Sequence, residues 1–405
     1  MKVLYLHQHF TTRAGSTGTR SYEMARELVA RGHQVHIVCG SFEVANSGLT
    51  DEFVRGRRSG LVDGIRITEF HIPYSNSDSL LARSRAFLGF AMKTTGVALK
   101  EPYDVVFATS TPLTASIPAI VARLLRRKTF VFEVRDLWPE LPKAMGVITN
   151  PVILHALSVL EWVSYRSAKA CVGLSPGIVD GIKARSQADK QVALIPNGCD
   201  VDLFIEPLTA KFDKHDDDGQ PFTAVFSGAH GRANGLDAVL DVAAHLQSMG
   251  RTDIRLLFIG EGGMKPALVK RAQDEGLSNC EFRSVIPKTE LPQLLAEVDV
   301  GLMCLANVPA FYYGTSPNKF FDYLAAGLPV LNNYPGWVAS IVENEKVGCV
   351  VQPQLPEDFA NALCHLADNP QLRREMSDNA RRCAQTRFNR KALATQFVDF
   401  LESVA

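Results

Sequence analysis

Residues 314–330 of the chain read GTSPNKFFDYLAAGLPV, and this stretch decides the fold of the second half. It opens with small residues and Pro, continues as an apolar helix of about three turns, and closes at Gly327 before a strand-like run. Backbone N–H groups at such a helix start have no partner within the helix, so together with Lys319 they suit a phosphate. Asp322 lies one turn beyond Asn318 on the same face, where a carboxylate suits the hydroxyls of a ribose. The stretch predicts a site for a sugar nucleotide; the alternative is an ordinary helix-to-strand connection with Lys319 and Asp322 in solvent.

The bulk composition limits both the architecture and the partners. A chain of 405 residues is too long for one core and predicts two domains. Its 43 basic residues balance 43 acidic ones, so no overall field favours nucleic acid. The eight cysteines form neither a C-x-x-C pair nor a cluster with zinc spacing, so we expect reduced thiols, no metal and no cofactor. A strand-like start without signal-peptide features, and no apolar run of bilayer length, predict a cytoplasmic protein.

Strand and helix patterns repeat in two halves of the chain. In the first half a strand, a Gly-rich loop, a helix and a second strand form a parallel βαβ unit, and further buried strands follow. The polar segment 211–220 marks a domain boundary, and the same pattern restarts at Phe222. The sequence therefore predicts an α/β protein with two Rossmann-like, doubly wound parallel-sheet domains, residues 1–207 and 208–386, and a last helix within 387–405. Ligands bind at the carboxyl ends of strands in such folds, so we expect the Gly-rich turns of both domains to face one cleft.

Glycine-rich turns follow the first strand of each predicted domain. Residues 228–235 read GAHGRANG, which does not fit the G-x-G-x-x-G spacing of a dinucleotide site but offers open amides and one cation, Arg232, for a diphosphate. Residues 260–263, GEGG, form a second such turn. In the first domain, Gly15 and Gly18 let the backbone approach a ligand closely. A plain turn or surface loop is the alternative in each case.

Residues 132–140, FEVRDLWPE, place charged side chains at the end of a buried strand, where they need partners or a ligand. Arg135 suits a phosphate or a sugar hydroxyl, and Asp136 or Glu133 can accept a proton from an attacking alcohol. An internal Arg–Asp ion pair is the alternative reading of the same residues.

Two other polar patterns favour structural roles. His7 and His9 lie at the exit of the first strand, where we expect a hydrogen bond at the sheet rim for each ring and no metal pair. Asp200 and Asp202, and the three aspartates at 216–218, lie at the linker, where solvated turns explain them better than a metal site.

A basic, apolar surface is predicted in the first domain. The stretch 80–100 is apolar with four basic residues, and LLRRK at 124–128 adds a basic cluster. Such a surface can lie on anionic lipid, and packing on the protein's own sheet is the alternative.

Together these stretches resemble the retaining glycosyltransferases of family 4, which have the GT-B fold, over nearly the whole chain. The resemblance is carried by the Gly-rich first turn with Arg20, by IPNGCD followed by Phe204 at 195–204, by GEG at 260–262 and by DYLAAGLPV at 322–330. RDLWPE at 135–140 and SPNK at 316–319 are similar to one bacterial branch, the N-acetyl-fucosaminyltransferase-like enzymes of surface polysaccharide assembly.

The resemblance implies that the second domain binds the nucleotide sugar, the first binds the acceptor, and the last helix crosses back onto the first domain. The chain also departs from the family pattern. The paired glutamates fall on Gly314 and Asp322, the Arg and Lys of the diphosphate site fall on Ala229 and Asn234, and a His falls on Arg135. We therefore expect other cations to supply the missing positive charge.

The assigned site residues form three groups. The catalytic residues are Lys319 and Arg232, which supply that charge, together with Arg135 and Asp136. The donor-binding residues are Gly15, Gly18, Gly228, His230, Gly231, Glu261, Ile286, Ser316, Asn318 and Asp322. The acceptor-binding residues are Arg20 and Glu133.

The expected reaction is metal-independent transfer of an N-acetylated or deoxy hexose from a UDP-sugar to a hydroxyl of a glycan acceptor. The acceptor is expected to be lipid-linked, with peripheral contact at the cytoplasmic face of the inner membrane. Two alternatives stay open: a nucleotide-sugar 2-epimerase of the same architecture, and a non-catalytic scaffold that binds a sugar nucleotide.

Overall fold

A computed structural model describes residues 1–75, 78–205, 221–353 and 355–405. The chain forms two compact units. Unit 1 comprises Met1–Pro196, Tyr313–Ser316 and Lys391–Ala405, and unit 2 comprises Asn197–Tyr312 and Pro317–Arg390. The expected boundary at 207/208, the polar segment 211–220 and its aspartates 216–218 lie outside the described residues.

Unit 1 is built on an eight-stranded sheet with the order β3-β4-β2-β1-β5-β6-β7-β8. Its strands are β1 (Lys2–Leu6), β2 (Gln34–Gly40), β3 (Arg57–Val62), β4 (Ile65–Phe70), β5 (Val105–Thr109), β6 (Thr129–Val134), β7 (Ala170–Gly173) and β8 (Gln191–Leu194). Its helices are α1 (Arg20–Ala30), α2 (Leu80–Lys100), α3 (Ser116–Arg126), α4 (Glu140–Ala144), α5 (Pro151–Ser167) and α6 (Pro176–Arg185), with a 3₁₀ turn at Leu113–Ala115.

The expectation of an all-parallel sheet in the first half is wrong at β3, which pairs antiparallel with β4. The two strands are joined by Asp63 and Gly64, with φ of +49° and +78°. Positive φ at both central residues is typical of a tight hairpin turn, and Asp-Gly is a common pair there. The hairpin escaped prediction because Gly60 and two arginines interrupt the apolar pattern of β3.

Unit 2 is built on a six-stranded parallel sheet with the order β11-β10-β9-β12-β13-β14. Its strands are β9 (Phe222–Ser227), β10 (Ile254–Ile259), β11 (Cys280–Arg283), β12 (Val300–Met303), β13 (Val330–Asn332) and β14 (Gly348–Val350). Its helices are α7 (Leu236–Ser248), α8 (Lys265–Asp274), α9 (Leu291–Ala296), α10 (Pro309–Tyr313), α11 (Asn318–Ala325), α12 (Trp337–Asn344), α13 (Pro356–Asp368) and α14 (Pro370–Thr386), with 3₁₀ turns at Val201–Phe204 and Arg232–Asn234.

The last helix, α15 (Arg390–Val404), starts in unit 2 and continues in unit 1. Its apolar side chains, among them Phe397 and Leu401, join the core on the α1 face of the unit 1 sheet. The Phe397 ring meets the Phe107 ring of β5 edge-on, with centroids 5.0 Å apart. The opposite face of the same sheet is covered by α2, α3, α5 and α6, so helices cover both faces. Among the described helices none is both long and apolar enough to cross a membrane.

Candidate functional site

In each unit the strand order reverses at one place in the sheet. The reversal lies between β1 and β5 in unit 1 and between β9 and β12 in unit 2. Open α/β folds bind ligands outside the carboxyl ends of the strands at such a point. In unit 2 the assigned donor residues follow β9, β10 and β11 or lie on α11, so the topology supports a ligand site there.

The turns after β9 and β10 pack against each other through their backbones. The amide of Gly228 donates to the carbonyl of Ile259, and the amide of His230 donates to the carbonyl of Glu261, both at 2.9 Å. A Cβ at Gly260, where φ is +143°, would lie 1.9 Å from the carbonyl oxygen of Gly228. Only glycine fits this approach, so the two turns form a close-packed backbone surface at the edge of the sheet.

Lys319 lies over the first of these turns. Its Nζ is 3.9 Å from the centroid of the Phe226 ring and donates to Oδ1 of Asn234 at 2.9 Å. A Cβ at Gly228 would lie 3.0 Å from Cε of Lys319, so this glycine makes room for the lysine. Among the described residues no carboxylate pairs with the amine, and burial lowers the pKa of Lys319 to about 7. An ammonium without a counter-ion, beside open backbone, is suited to bind an anion.

The start of α11 adds unpaired polar groups beside Lys319. The residue before the helix, Pro317, offers no side-chain cap, and Oδ1 of Asn318 is buried without a hydrogen-bond partner in the described part of the chain. The first N–H groups of a helix point along its axis and attract negative charge. Ser316 belongs with unit 1 rather than with the Asn318–Ala325 helix.

The remaining assigned donor residues form the rim of the same turns. The Arg232 side chain is exposed, and Gly231 beside it has open space around it. The exposed Glu261 accepts a hydrogen bond from Nζ of Lys265 at 2.8 Å, which lowers the pKa of Glu261. Ile286 is half-buried in the segment after β11. Arg232 is therefore placed to meet a ligand from the solvent side.

Asp322 is buried, so the alternative of a solvated Asp322 is wrong. Its carboxylate is 7 % exposed and accepts a hydrogen bond from Nζ of Lys288. The same Nζ lies 3.7 Å from Asp200, whose other oxygen accepts a hydrogen bond from Nε of Arg390 at 2.9 Å. Burial raises the pKa of Asp322, and Lys288 opposes that rise.

The four side chains Asp200, Lys288, Asp322 and Arg390 form what we call the buried charge network of unit 2. Two carboxylates face two cations, so the network is neutral overall. The interpretation of Asp200 as part of a solvated turn is wrong, because this side chain is 0 % exposed. The structure gives no support for Asp322 as an open ribose ligand, since Lys288 occupies one of its oxygens.

His230 is also placed differently from the prediction. Its side chain is 0 % exposed and lies between the rings of Phe226, Phe258 and Phe282, with centroids 6.0 to 6.4 Å away. Burial lowers the pKa of His230 to about 4, so the imidazole is neutral at pH 7. The residue supports the glycine turn through its backbone. Neither ring nitrogen has a hydrogen-bond partner among the described residues, so donor binding by His230 stays a prediction.

In unit 1, Arg20 and Glu133 pair with each other. Nε of Arg20 donates to Oε2 of Glu133 at 2.8 Å, and the two side chains are 1 % and 0 % exposed. Burial alone would raise the pKa of Glu133, but Arg20 and Arg135 bring it below its usual value. A buried, paired carboxylate cannot reach an acceptor hydroxyl, so this pair supports the sheet edge instead of contacting a glycan.

Arg135 and Asp136 leave the end of β6 in different directions. Nε of Arg135 donates to Oγ1 of Thr109 at 2.8 Å and lies 3.2 Å from Glu133, so the alternative of an internal ion pair holds with Glu133 rather than Asp136. Oγ1 of Thr111 donates to Oδ2 of Asp136 at 3.0 Å. Burial raises the pKa of Asp136, which makes its carboxylate a better proton acceptor.

Gly15 and Gly18 lie in the loop between β1 and α1. A Cβ at Gly15 would lie 2.0 Å from Oγ1 of Thr11, so this glycine is required by packing within the loop. Gly18 is half-buried in the same loop. The loop follows β1 and therefore reaches the strand reversal of unit 1.

Sequence reasoning missed three residues around the candidate donor site. Lys288 and Arg390 complete the buried charge network, and Asn234 orients Lys319. Asn234 had been noted only as the loss of a family cation. A signal existed for Lys288, because a lysine directly after Pro287 at the carboxyl end of β11 follows the same rule that located the other turns.

Comparison with known proteins agrees with this geometry. Residues 15–198 match the Glycosyl transferase 4-like domain, and residues 209–383 match Glycosyl transferases group 1. The chain is 24% identical over 319 residues to the probable glycosyltransferase WbjE of Pseudomonas aeruginosa, which covers 74% of this chain and 75% of that protein.

Two solved structures share the fold. Sucrose-phosphate synthase from Thermosynechococcus elongatus has a TM-score of 0.77 and 17% identity, over 100% of this chain and 98% of that one. Anabaena HepE in complex with UDP and glucose has a TM-score of 0.71 and 18% identity, over 100% of both chains. The two domain families together span most of the sequence, and the chain belongs to the GT-B glycosyltransferases of the family 4 and group 1 type.

Proposed function

We propose that the protein transfers a hexose, N-acetylated or deoxygenated, from a UDP-sugar to a hydroxyl of an acceptor glycan, with retention of configuration. The observation that carries the proposal is Lys319, an ammonium without a carboxylate partner over the glycine turn that follows β9. HepE, which has the same fold, was solved with UDP and glucose. The proposed donor thus fits both the chemistry of the site and the precedent of the fold.

In this reaction negative charge develops on the leaving diphosphate. Charged Lys319 and the first amides of α11 supply positive charge from within unit 2, and the exposed Arg232 supplies it from the rim. Preorganised donors of this kind stabilise a transition state without reorganising during the reaction. The arrangement allows transfer without a metal.

Retention of configuration follows in this proposal from attack on the same face as the departing group. The leaving phosphate takes the proton of the acceptor hydroxyl, so no protein nucleophile is needed. Asp136 in unit 1 is the alternative proton acceptor, since burial raises its pKa. The role assigned to Arg135 is to hold the acceptor or the diphosphate.

The acceptor is proposed to be lipid-linked and presented at the cytoplasmic face of the inner membrane during surface polysaccharide assembly. On α2 the side chains of Leu81, Leu88 and Met92 are 61%, 52% and 72% exposed, and on α3 Leu124 and Leu125 are each 71% exposed. Several basic residues of these two helices, including Arg85 and Arg123, are exposed as well. An exposed surface that is both apolar and basic suits anionic lipid.

A binding measurement and an activity screen test the proposed reaction. Calorimetry should detect UDP binding to the purified protein, and a screen of UDP, GDP and ADP sugars should show hydrolysis or transfer with a UDP-sugar. No binding of UDP at millimolar concentration would instead favour a scaffold. A 2-epimerase would convert the donor without any acceptor. For the membrane step, sedimentation should show binding to anionic vesicles that weakens as salt rises.

A further inference from the structure

A cluster of aromatic rings lies at one edge of the unit 1 sheet and has no part in the site described so far. The His9 ring is at its centre, with centroids 4.5 Å from Tyr74, 5.1 Å from Phe42 and 6.2 Å from Phe87. Phe42 and Phe87 each pack against Tyr74, at 5.3 and 5.5 Å. We call these four residues the aromatic cluster of unit 1.

The cluster occupies the edge at which α/β sheets bind ligands. His9 follows β1, Phe42 follows β2 and Tyr74 follows β4, and these three strands are neighbours in the sheet. The carboxyl ends of parallel strands meet at one edge, and β1 borders the strand reversal of the unit. Phe87 closes the group from α2.

Tyr74 belongs to a hydrophobic core of unit 1, and Phe42 and Phe87 pack against that core. Phe130 and Phe132, which lie within β6, are 0 % exposed, as expected for core residues. His9, Phe42 and Phe87 are all half-buried, so part of each ring remains accessible. These partly exposed side chains therefore offer apolar contact area at the ligand-binding edge of the sheet.

The chain beside the cluster also carries buried polar atoms without partners. Gln8 is 1% exposed, and neither its amide oxygen nor its amide nitrogen has a hydrogen-bond partner among the residues described. Nδ1 of His7 and Nδ1 of His9 are also buried without a hydrogen-bond partner in the described part of the chain. Unsatisfied buried polar groups are rare in folded proteins, and they favour a polar ligand or water as the missing partner.

The His9 ring offers hydrogen bonding without charge. Burial, together with the nearby Arg135 and Arg83, lowers the pKa of His9 to about 3, so the ring is uncharged at pH 7. His9 therefore acts as a hydrogen-bonding aromatic ring and not as a cation. The C–H face of a pyranose carries weak positive charge and packs on the negative face of an aromatic ring, while its hydroxyls need hydrogen-bond partners.

We propose that the aromatic cluster of unit 1 is a subsite for a neutral pyranose ring of the acceptor, with His9 and Gln8 as hydrogen-bonding groups and Phe42 and Phe87 as stacking faces. The proposal rests on the proposed transferase function, and it identifies which sugar of the acceptor unit 1 grips. It replaces the buried pair Arg20 and Glu133 as the place where unit 1 contacts a glycan.

The test uses saturation-transfer NMR on the full chain with two probes, methyl β-D-glucopyranoside and methyl N-acetyl-β-D-glucosaminide. We compare the unaltered protein with Phe42→Leu and Phe87→Leu. The matched control is Phe53→Leu, because Phe53 stacks on His71 at 4.9 Å in the same unit but away from the cluster. Calorimetry with UDP on each protein monitors the donor site separately, and circular dichroism checks folding.

The expected result is transfer to the ring C–H protons of at least one glycoside, about fivefold weaker binding in Phe42→Leu and Phe87→Leu, and no change in Phe53→Leu. Equal signals in all four proteins, or no transfer to either glycoside at millimolar concentration, overturn the subsite. If the unaltered protein does not bind UDP, the proposed function is overturned instead. If a Phe42→Leu protein is misfolded, Phe87→Leu and the conservative Phe87→Tyr carry the test.

Discussion

We expect Lys319 to make binding of the proposed donor dependent on pH. Because burial lowers its pKa to about 7, the amine is mostly neutral in the free protein above about pH 8. A bound diphosphate favours the charged amine, so binding should take up a proton in that range. UDP affinity should then fall by up to tenfold per pH unit between about pH 7.5 and 8.5.

Calorimetry in buffers of different ionisation enthalpy measures this proton uptake directly. Lys319→Met should bind UDP more weakly and without pH dependence in the same window. Lys270→Met is the matched control, since Lys270 pairs with Asp274 on the surface of α8. An identical pH profile in the Lys319 variant would show that another group titrates.

The buried charge of Lys319 should also lower the stability of the folded protein near neutral pH. Its pKa is lower in the folded state than in the unfolded chain, so folding releases a proton between about pH 7 and 10, and stability rises with pH through that window. Removing the charge should stabilise the protein near neutral pH, by about 1 kcal/mol after allowance for partial exposure. Thermal unfolding at about pH 7 should show a higher midpoint for Lys319→Met than for the unaltered chain. A lower midpoint would mean that packing of the lysine stem on Phe226 outweighs the buried charge.

At the scale of single residues, the sequence predicted those positions whose role follows from neighbouring residues in the chain. The start of α11 and the glycine turns could be located because helix ends and turns have local signatures. The burial of His230 and Asp322 could not be predicted, because it depends on partners far away in the sequence. Lys288, which binds Asp322, is 34 residues from it.

At the scale of elements, the two glycine turns of unit 2 are packed so closely that a change in one should disturb the other. Gly260→Ala would place a Cβ against the carbonyl of Gly228, where the backbone cannot yield, and we expect a loss of about 3 kcal/mol in unfolding free energy. Gly231→Ala meets no atom within 4 Å and should change stability by less than about 0.5 kcal/mol. Chemical denaturation measures both. Similar losses in the two variants would contradict the packing of the turns.

Strands were predicted closely where apolar runs are uninterrupted. The segments Lys2–Leu6 and Ile254–Ile259 are nearly continuous apolar runs, and both form buried strands of a parallel sheet, as such runs predict. The β3 strand was not predicted, because it lies at the edge of the sheet and its exposed residues alternate with half-buried ones. The Asp63-Gly64 pair was the available signal for it.

At the scale of the whole molecule, the buried charge network lies next to two of the points at which the chain passes between the units. The chain passes from unit 1 into unit 2 at Pro196–Asn197 and, after a short return to unit 1 at Tyr313–Ser316, leaves unit 2 for the last time at Arg390–Lys391. Within unit 2 the segment at Cys199 runs beside the segment at Phe388 and Arg390. The amide of Cys199 donates to the carbonyl of Phe388 at 2.7 Å, and the amide of Arg390 donates to the carbonyl of Cys199 at 3.0 Å. The charge network fastens both passages to α11, which carries the candidate donor site.

Removing one member of this network should therefore be costly. Arg390→Met removes the hydrogen bonds that the buried Asp200 accepts from Arg390. We expect a loss of about 3 kcal/mol in unfolding free energy, because the network is left with two carboxylates and one cation. The matched control is Arg251→Met, whose partners Asp253 and Asp368 are more than half exposed, so that loss should be about 1 kcal/mol or less.

A double variant separates the charge from the packing of the arginine. Asp200→Asn combined with Arg390→Met removes one charge of each sign, so it should recover part of the stability lost in Arg390→Met alone. Denaturation of the four proteins completes the cycle, and UDP calorimetry shows whether the loss reaches α11 through Lys288 and Asp322. If Arg390→Met were no more harmful than Arg251→Met, the network would not hold the two passages, and the hydrogen bonds between Cys199 and its neighbours would suffice.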